Sequence, residues 1–437
     1  MMPFATRRTL ILTGLLLLLS VFVSAETLSL DQCIELALKN HPNVISARGN
    51  VKTANAGLWN AFGNFLPYIS ASGSVSQTNY PFETQSVVNY ELVAAGKIQK
   101  SYSFNAFAQI NIFNGGRNFF DYFAAKANKA KSKYIKEQSE QDIILMVKTS
   151  YFAYLASKKL YEVRQEAVKR GREQYKLAES KYEIGSASKS DVLKAKVQYG
   201  EDRLNLIDAE NGIRNALANL AYQIGIDVNS NIEFSSDYHS REYDGTERNA
   251  LNMGLTNYPG LLASEQSLKA AKNGVRSAWG RYLPTITLRV QRYYSDEYWH
   301  EIKTFPWYDR RTSISTTLNF PIFENFSRKS VMSGAKASLN NARAEYYYAR
   351  NKVALDIKKA FLDMARAKEK LSVAGENEEA ASEDMMLVRE KYNLGAATML
   401  DVLLAQEKLN TAQYDKIQSE FDYNMAVATL ENAMGVR

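Results

Sequence analysis

Residues 181–195 read KYEIGSASKSDVLKA and residues 391–405 read KYNLGAATMLDVLLA. Lys181, Tyr182, Gly185, Asp191, Val192, Leu193 and Ala195 of the first stretch return as Lys391, Tyr392, Gly395, Asp401, Val402, Leu403 and Ala405 of the second, each 210 positions on. Further towards the N-terminus of each copy, Gly57, Phe62, Gly63, Leu66 and Pro67 return as Gly274, Trp279, Gly280, Leu283 and Pro284, now 217 positions on. The change of offset falls between the matched blocks, in a connecting stretch. One long unit is therefore written twice in these 437 residues.

Each copy runs through a short helix, a second helix, a strand, a long loop, a strand, a very long helix, a turn and a last helix. Proline sets where the helices can run. Pro3, Pro42, Pro67, Pro81, Pro259, Pro284, Pro306 and Pro321 are the eight, so residues 82–258 and 322–437 contain none. An interior proline removes a donor and clashes with the preceding turn, and these two tracts are free of it. The spacing predicts helix over about 117–184, stopped by Gly185, and over about 327–394, stopped by Gly395. At 1.5 Å per residue each is roughly 100 Å long, several times the width of an ordinary domain. Ile143, Ile144, Val147, Tyr151, Tyr154, Leu155 and Val163 recur at spacings of three and four, the stripe of a helix packed along one side.

Four segments have a period of two instead: about 67–79, 101–113, 284–295 and 311–323. Ile69, Ala71, Gly73 and Val75 alternate with serines; Tyr102, Phe104, Ala106, Ala108, Ile110 and Ile112 alternate with Ser103, Asn105, Gln109 and Asn111. In the second copy Ile286, Leu288 and Val290 oppose Thr285, Thr287, Arg289 and Gln291, and Ile314, Leu318 and Phe320 oppose Ser313, Ser315, Thr317 and Asn319. This pattern suits a half-buried soluble sheet, and equally strands with lipid on one face and water on the other.

The N-terminus favours lipid. Arg7 and Arg8 precede an apolar run from Leu10 to Val23, and Ser24 and Ala25 supply small residues for a cut after Ala25. Residues 1–25 therefore read as a secretory signal. Beyond them no apolar run is long enough for a spanning helix, which leaves a β-barrel as the route into a membrane. Tyr80, Tyr90, Tyr293, Tyr294, Tyr298, Trp299, Trp307 and Tyr308 crowd the far strand ends, as in an interfacial girdle or a packed loop. Four strands cannot close a barrel, and an open edge in lipid leaves amides unpaired. Copies must pool strands into eight, twelve or sixteen; eight give an interior filled by side chains, so a homotrimer is the smallest conducting assembly.

Loss of Arg7 and Arg8 lowers the formal net charge from +7 to +5, too mild a balance for nucleic acid. Cys33 is the only cysteine, sits in an apolar helix pattern and reads as packing. His41, His239 and His300 are scattered, and no metal-ligand spacing, phosphate loop or acid/base constellation is visible, so neither enzyme nor cofactor is expected.

In this organisation the chain resembles the outer membrane factor family, the TolC-like efflux and secretion channels. The resemblance rests on the doubled order of elements, on Leu66-Pro67 and Leu283-Pro284 ahead of the strands, and on the turns ending at Gly185 and Gly395, each followed by Asp-Val-Leu. It implies a mainly α fold with a small β part: a trimeric twelve-stranded outer-membrane barrel continued by a long periplasmic α-helical barrel. The repeats would be residues 26–226 and 246–437, joined by 227–245. It further implies a passive exit duct that works with a periplasmic adaptor and an inner-membrane transporter of RND or ABC type. Carried over by position, Tyr182, Gly185 and Gly395 mark adaptor-docking turns, Asp191 and Asp401 approach the pore entrance, and Tyr392 helps hold that entrance shut. The chain departs from the best-known member at Leu404, where that member has a second aspartate, and at Ala397, where it has an arginine of its closing network.

The residues also allow plainer roles. Ser188 with Asp191, and Thr398 with Asp401, have the spacing of a helix capping box, compatible with a carboxylate that also faces the lumen. Gly185 and Gly395 suit any helix end. Lys181, Lys189, Lys194 and Lys196 read as a solvated face. A periplasmic coiled-coil adaptor or scaffold, with its sheet in water, is the rival function.

Overall fold

A computed structural model describes residues 27–79, 84–88, 91–95, 98–229, 233–235, 243–296 and 311–436. The signal expected at 1–25 lies outside them, as do Tyr80, Tyr90, His239, Tyr298, Trp299, His300, Trp307 and Tyr308. The first copy contains α1 (Leu30–Asn40), α2 (Pro42–Gly63), β1 (Tyr68–Asn79), β2 (Thr84–Val88), β3 (Glu91–Ala95), β4 (Ile98–Phe113), α3 (Arg117–Glu183) and α4 (Lys189–Ile224). The second contains α5 (Glu247–Asn257), α6 (Pro259–Gly280), β5 (Thr285–Asp296), β6 (Arg311–Asn319), α7 (Ser327–Asn393) and α8 (Met399–Met434).

The duplication is metrically strict in the helices. α3 and α7 have 67 residues each, α4 and α8 have 36, and α2 and α6 have 22. Proline opens both α2 and α6 at a position whose N–H has no helical acceptor anyway. α3 packs on α2, α4, α6 and α8, while α7 packs on α5, α6 and α8. A long helix is thus covered by two shorter ones in succession, the 22-residue helix towards the strands and the 36-residue helix towards the turn.

Three apolar clusters hold this rod together. Cys33, Val44, Val147, Tyr151, Leu220 and Ile224 build the first, with Phe234 of the connecting segment inserted against Tyr154. Ala250, Leu261, Val353, Ile357 and Leu430 build the second. Ala178, Ala195, Met385, Tyr392, Met399 and Val402 build the third, at the end remote from the strands. Cys33 is fully buried, and burial pushes its thiol up to about 12, as expected of a packing residue. Among the described residues no helix is long and apolar enough to cross a membrane.

β1, β4, β5 and β6 form one antiparallel sheet in that order, so the strand pair of the first copy continues directly into the pair of the second as a single surface. The register brings like faces together: Ile69 pairs with Ala108, Ala108 with Val290 and Val290 with Ile314. On the other face Ser70 pairs with Phe107, Phe107 with Gln291 and Gln291 with Ser313. Among the described residues β1 and β6 each pair on one side only.

Three features differ from the expectation. β2 and β3 form a separate hairpin inside the first long loop. β4 begins at Ile98, three residues before the expected start, because β1 runs on to Asn79 and pairs with it. β6 stops at Asn319 instead of continuing to 323, since Pro321 has no N–H to offer the ladder.

Candidate functional site

Both tip turns are Schellman caps. The Gly185 N–H donates to the Tyr182 carbonyl at 2.9 Å and the Ser186 N–H to that of Lys181 at 2.8 Å; Gly395 and Ala396 repeat this on Tyr392 and Lys391 at 3.2 and 2.8 Å. Gly185 and Gly395 have φ of 74° and 77°, the left-handed region a side chain disfavours. Ile184 and Leu394 beside them are 79% and 84% exposed, so the turns present apolar residues to whatever lies below.

Both aspartates cap the helices that follow. Asp191 accepts from the Ser188 N–H at 3.1 Å and the Ser188 hydroxyl at 2.7 Å, and its own N–H donates to that hydroxyl at 3.2 Å. Asp401 does the same with Thr398, at 2.8, 2.7 and 3.3 Å. The Thr398 hydroxyl first, then its N–H, hold the Asp401 carboxyl below the usual range. A lowered folded value means the cap stabilises the helix start above the ordinary aspartate pKa and is lost as pH falls through the lowered one. Hydrogen-exchange protection of residues 399–405, taken relative to the intrinsic rate at each pH, should fall on acidification in the wild type, and Asp401→Asn should already show lower protection at neutral pH.

Lys181 departs from its expected solvated face. Its Nζ donates to the Tyr392 carbonyl at 2.5 Å and the Asn393 carbonyl at 3.3 Å, and lies 4.2 Å from the centre of the Tyr392 ring. The last turn of α3 thereby caps the last turn of α7, where unpaired carbonyls and the helix dipole favour a cation. Above it Arg389 reaches Glu173 at 2.9 Å, a second link from α7 to α3.

Tyr392 is 6% exposed, whereas its counterpart Tyr182 is 46% exposed. Burial raises the Tyr392 phenol's pKa, and the charge of Asp191 adds to this. Asp191 and Tyr392 are therefore brought together electrostatically, but the phenol oxygen is buried with no hydrogen-bond partner among the described residues. A buried unpaired hydroxyl costs about 1–3 kcal/mol. Tyr392→Phe is thus expected to leave the tip as stable or more so, with unchanged resting conductance in a planar bilayer. A rise in conductance would show that the hydroxyl does hold the entrance.

Higher in the rod lies a polar joint the sequence did not disclose. Asp202 of α4 is 1% exposed and accepts from Gln406 of α8 at 3.0 Å and from Gln198 at 3.2 Å. Arg170 of α3 donates to Asn410 of α8 at 3.3 Å and faces Asp202 electrostatically. A Cβ on Gly171 would run into the Asp202 carboxylate, so the missing side chain makes the pocket.

In the sheet, Arg289 stacks over Phe107 at 4.0 Å on the otherwise polar face, and Tyr68 packs on the same ring. That face is less uniformly polar than the alternation suggested. Tyr293 and Tyr294 point to opposite faces, and Tyr294 is buried, bonding to Asp296 at 3.2 Å. Among the described residues no cluster of His, Cys, Asp and Glu could hold a metal.

A family model described as outer membrane efflux protein matches residues 33–225 and 250–436, one match per copy. The chain belongs to the outer membrane efflux protein family. The outer membrane efflux protein BepC of Brucella suis biovar 1 is 24% identical over 439 residues, covering 99% of this chain and 91% of that protein. The outer membrane protein TolC of Vibrio cholerae is 24% identical over 442 residues, covering 96% and 95%. The crystal structure of the outer membrane protein VceC, also from Vibrio cholerae, superposes with a TM-score of 0.82 at 18% identity, covering 93% and 96%. This efflux protein accordingly lies in the outer membrane and is a passive exit channel, not an enzyme.

Proposed function

We propose that three copies of this efflux protein close one twelve-stranded barrel and one helical tunnel, and that this duct serves efflux or type I secretion. A periplasmic adaptor and an inner-membrane transporter of RND or ABC type would supply substrate and energy. The observation that carries the assembly is the sheet with two open margins: among the described residues β1 and β6 each present a row of backbone groups with no strand beside it. In lipid each unpaired group costs several kcal/mol, and edge pairing of β6 with β1 of the next copy removes all of them. A ring results because the two margins are different surfaces, joined head to tail.

The turns at Gly185 and Gly395 are the adaptor's docking sites on this reading, with Tyr182 flanking the first. Asp191, Asp401 and Tyr392 border the entrance. Adaptor binding opens the tip if the adaptor fits the open arrangement better than the closed one. Purified protein should run as a trimer in detergent and give discrete conductance steps in planar bilayers. A soluble monomer that gives no steps would return the function to a periplasmic scaffold.

A further inference from the structure

Because α3 and α7, and α4 and α8, match residue for residue at an offset of 210, every contact from the first copy to the second within a chain has a defined counterpart. In a closed ring of three chains the tip turns alternate, first copy, second copy, around six positions. Each step inside a chain is followed by one between chains, and the two steps are nearly equivalent.

Lys181 makes the step inside the chain, onto the Tyr392 and Asn393 carbonyls and the Tyr392 ring. Its counterpart is Lys391, and the counterparts of Tyr392 and Asn393 are Tyr182 and Glu183. These three residues are all exposed in the single chain. Among the described residues the Lys391 ammonium has no hydrogen-bond or ion-pair partner. Both halves of a second contact are therefore present, and unfilled.

We propose that Lys391 joins neighbouring copies at the tip, its ammonium capping the Tyr182 and Glu183 carbonyls of the partner subunit and lying over that tyrosine ring. The inference rests on the trimeric reading above and names the residues that shut it. Glu183 stands where the inner contact has Asn393, so the joint between copies gains a carboxylate for the lysine to face. The resting tip is then held by six lysine caps, three within chains and three between them.

The two kinds of seam are not equally strong. The Arg389–Glu173 pair inside the chain corresponds to Glu179 and Glu383 between chains, two like charges where the inner seam has an ion pair. The Asp202–Gln406 hydrogen bond corresponds to Ala412 and Lys196, which cannot reproduce it. Lys391 is thus the main polar hold across a seam that otherwise repels, and the tip parts between copies rather than within them. Tyr182 becomes free for an adaptor only once Lys391 lets go.

The test uses full-length protein in membranes. Lys391→Cys combined with Tyr182→Cys, treated with a short bis-maleimide, should give a ladder of covalently joined chains; Lys181→Cys with Tyr392→Cys should cross-link inside one chain and keep monomer mobility. The sole native cysteine, Cys33, is buried and adds little background. In planar bilayers Lys391→Ala should raise the open fraction of the resting channel at least about tenfold, the effect of losing one charge-assisted hydrogen bond, and up to about a thousandfold if the three seams part together; Lys391→Arg should restore it. If wild type conducts as a trimer while Lys391→Ala behaves identically and no ladder forms, the inference is overturned and the duct stands. If wild type neither associates nor conducts, the trimeric reading falls and takes the inference with it.

Discussion

Val290→Arg is expected to keep this protein out of the outer membrane, while Gln291→Arg, one residue along, is expected to be accepted. Val290 sits midway along β5, between Ala108 of β4 and Ile314 of β6, on the face made of Ile69, Ala71, Val75, Ile110, Leu288 and Leu318. It is 39% exposed in the single chain, and on the barrel reading that face meets lipid. A lipid-facing arginine at mid-depth costs about 2–4 kcal/mol. Three copies in one barrel multiply this to roughly 6–12 kcal/mol, comparable with the 5–15 kcal/mol that holds an ordinary domain together. Gln291 lies between Phe107 and Ser313 on the face that carries Arg289, where water solvates a guanidinium. The measurement is the share of folded trimer in outer-membrane fractions of the two variants. Equal insertion would mean that the apolar face does not meet lipid.

The large architecture was readable because it depends on periodicities longer than any local accident. Absent prolines, a repeated Gly-bounded turn and an alternation of two fix helix, helix end and strand without knowledge of what packs where. The faces of β1, β4, β5 and β6 pair as the alternation required, since a one-residue slip would have turned every isoleucine inward. The hairpin of β2 and β3 escaped because two five-residue strands carry too few residues to show a period.

The tip was legible in part. Asp191 and Asp401 are fixed by the three-residue spacing of a capping box, and the structure has both bonds of each box. Lys181 was not, because its partners are backbone carbonyls 211 and 212 residues away, and a carbonyl leaves no mark in a sequence. Phe234 was missed for a related reason: a single aromatic in a connecting stretch has no pattern, yet it fills a gap between α1, α3 and α4.

The polar joint was hidden for a third reason, since Arg170, Gly171, Asp202 and Gln406 each look like surface residues of a long polar helix. Its energetics give the second large effect. Asp202→Ala should cost about 1–3 kcal/mol, the loss typical of leaving a buried hydrogen-bonding group without its partner. The Gln406 amide, 0% exposed and with its oxygen already unpaired, would then have neither of its bonds. Arg170, whose Nε is also buried without a partner, would lose its counter-charge. Asp202→Asn should be milder, because a carboxamide keeps the acceptor for Gln406 and gives up only the bond from Gln198. Burial, outweighing Arg170 and the two glutamines, raises the Asp202 carboxyl's pKa above its usual range. A raised acid binds its proton more tightly in the folded protein, so its contribution is most favourable below the ordinary aspartate pKa and declines as pH rises through the raised one. Urea unfolding followed across that window should show the decline in wild type and a flatter profile in Asp202→Asn. Gly171→Ala tests the geometry separately, because its methyl would push the carboxylate off Gln406 while leaving every charge in place. If alanine and asparagine at position 202 prove equally harmless, the joint is a passive inclusion, and the three clusters of apolar contacts carry the rod unaided.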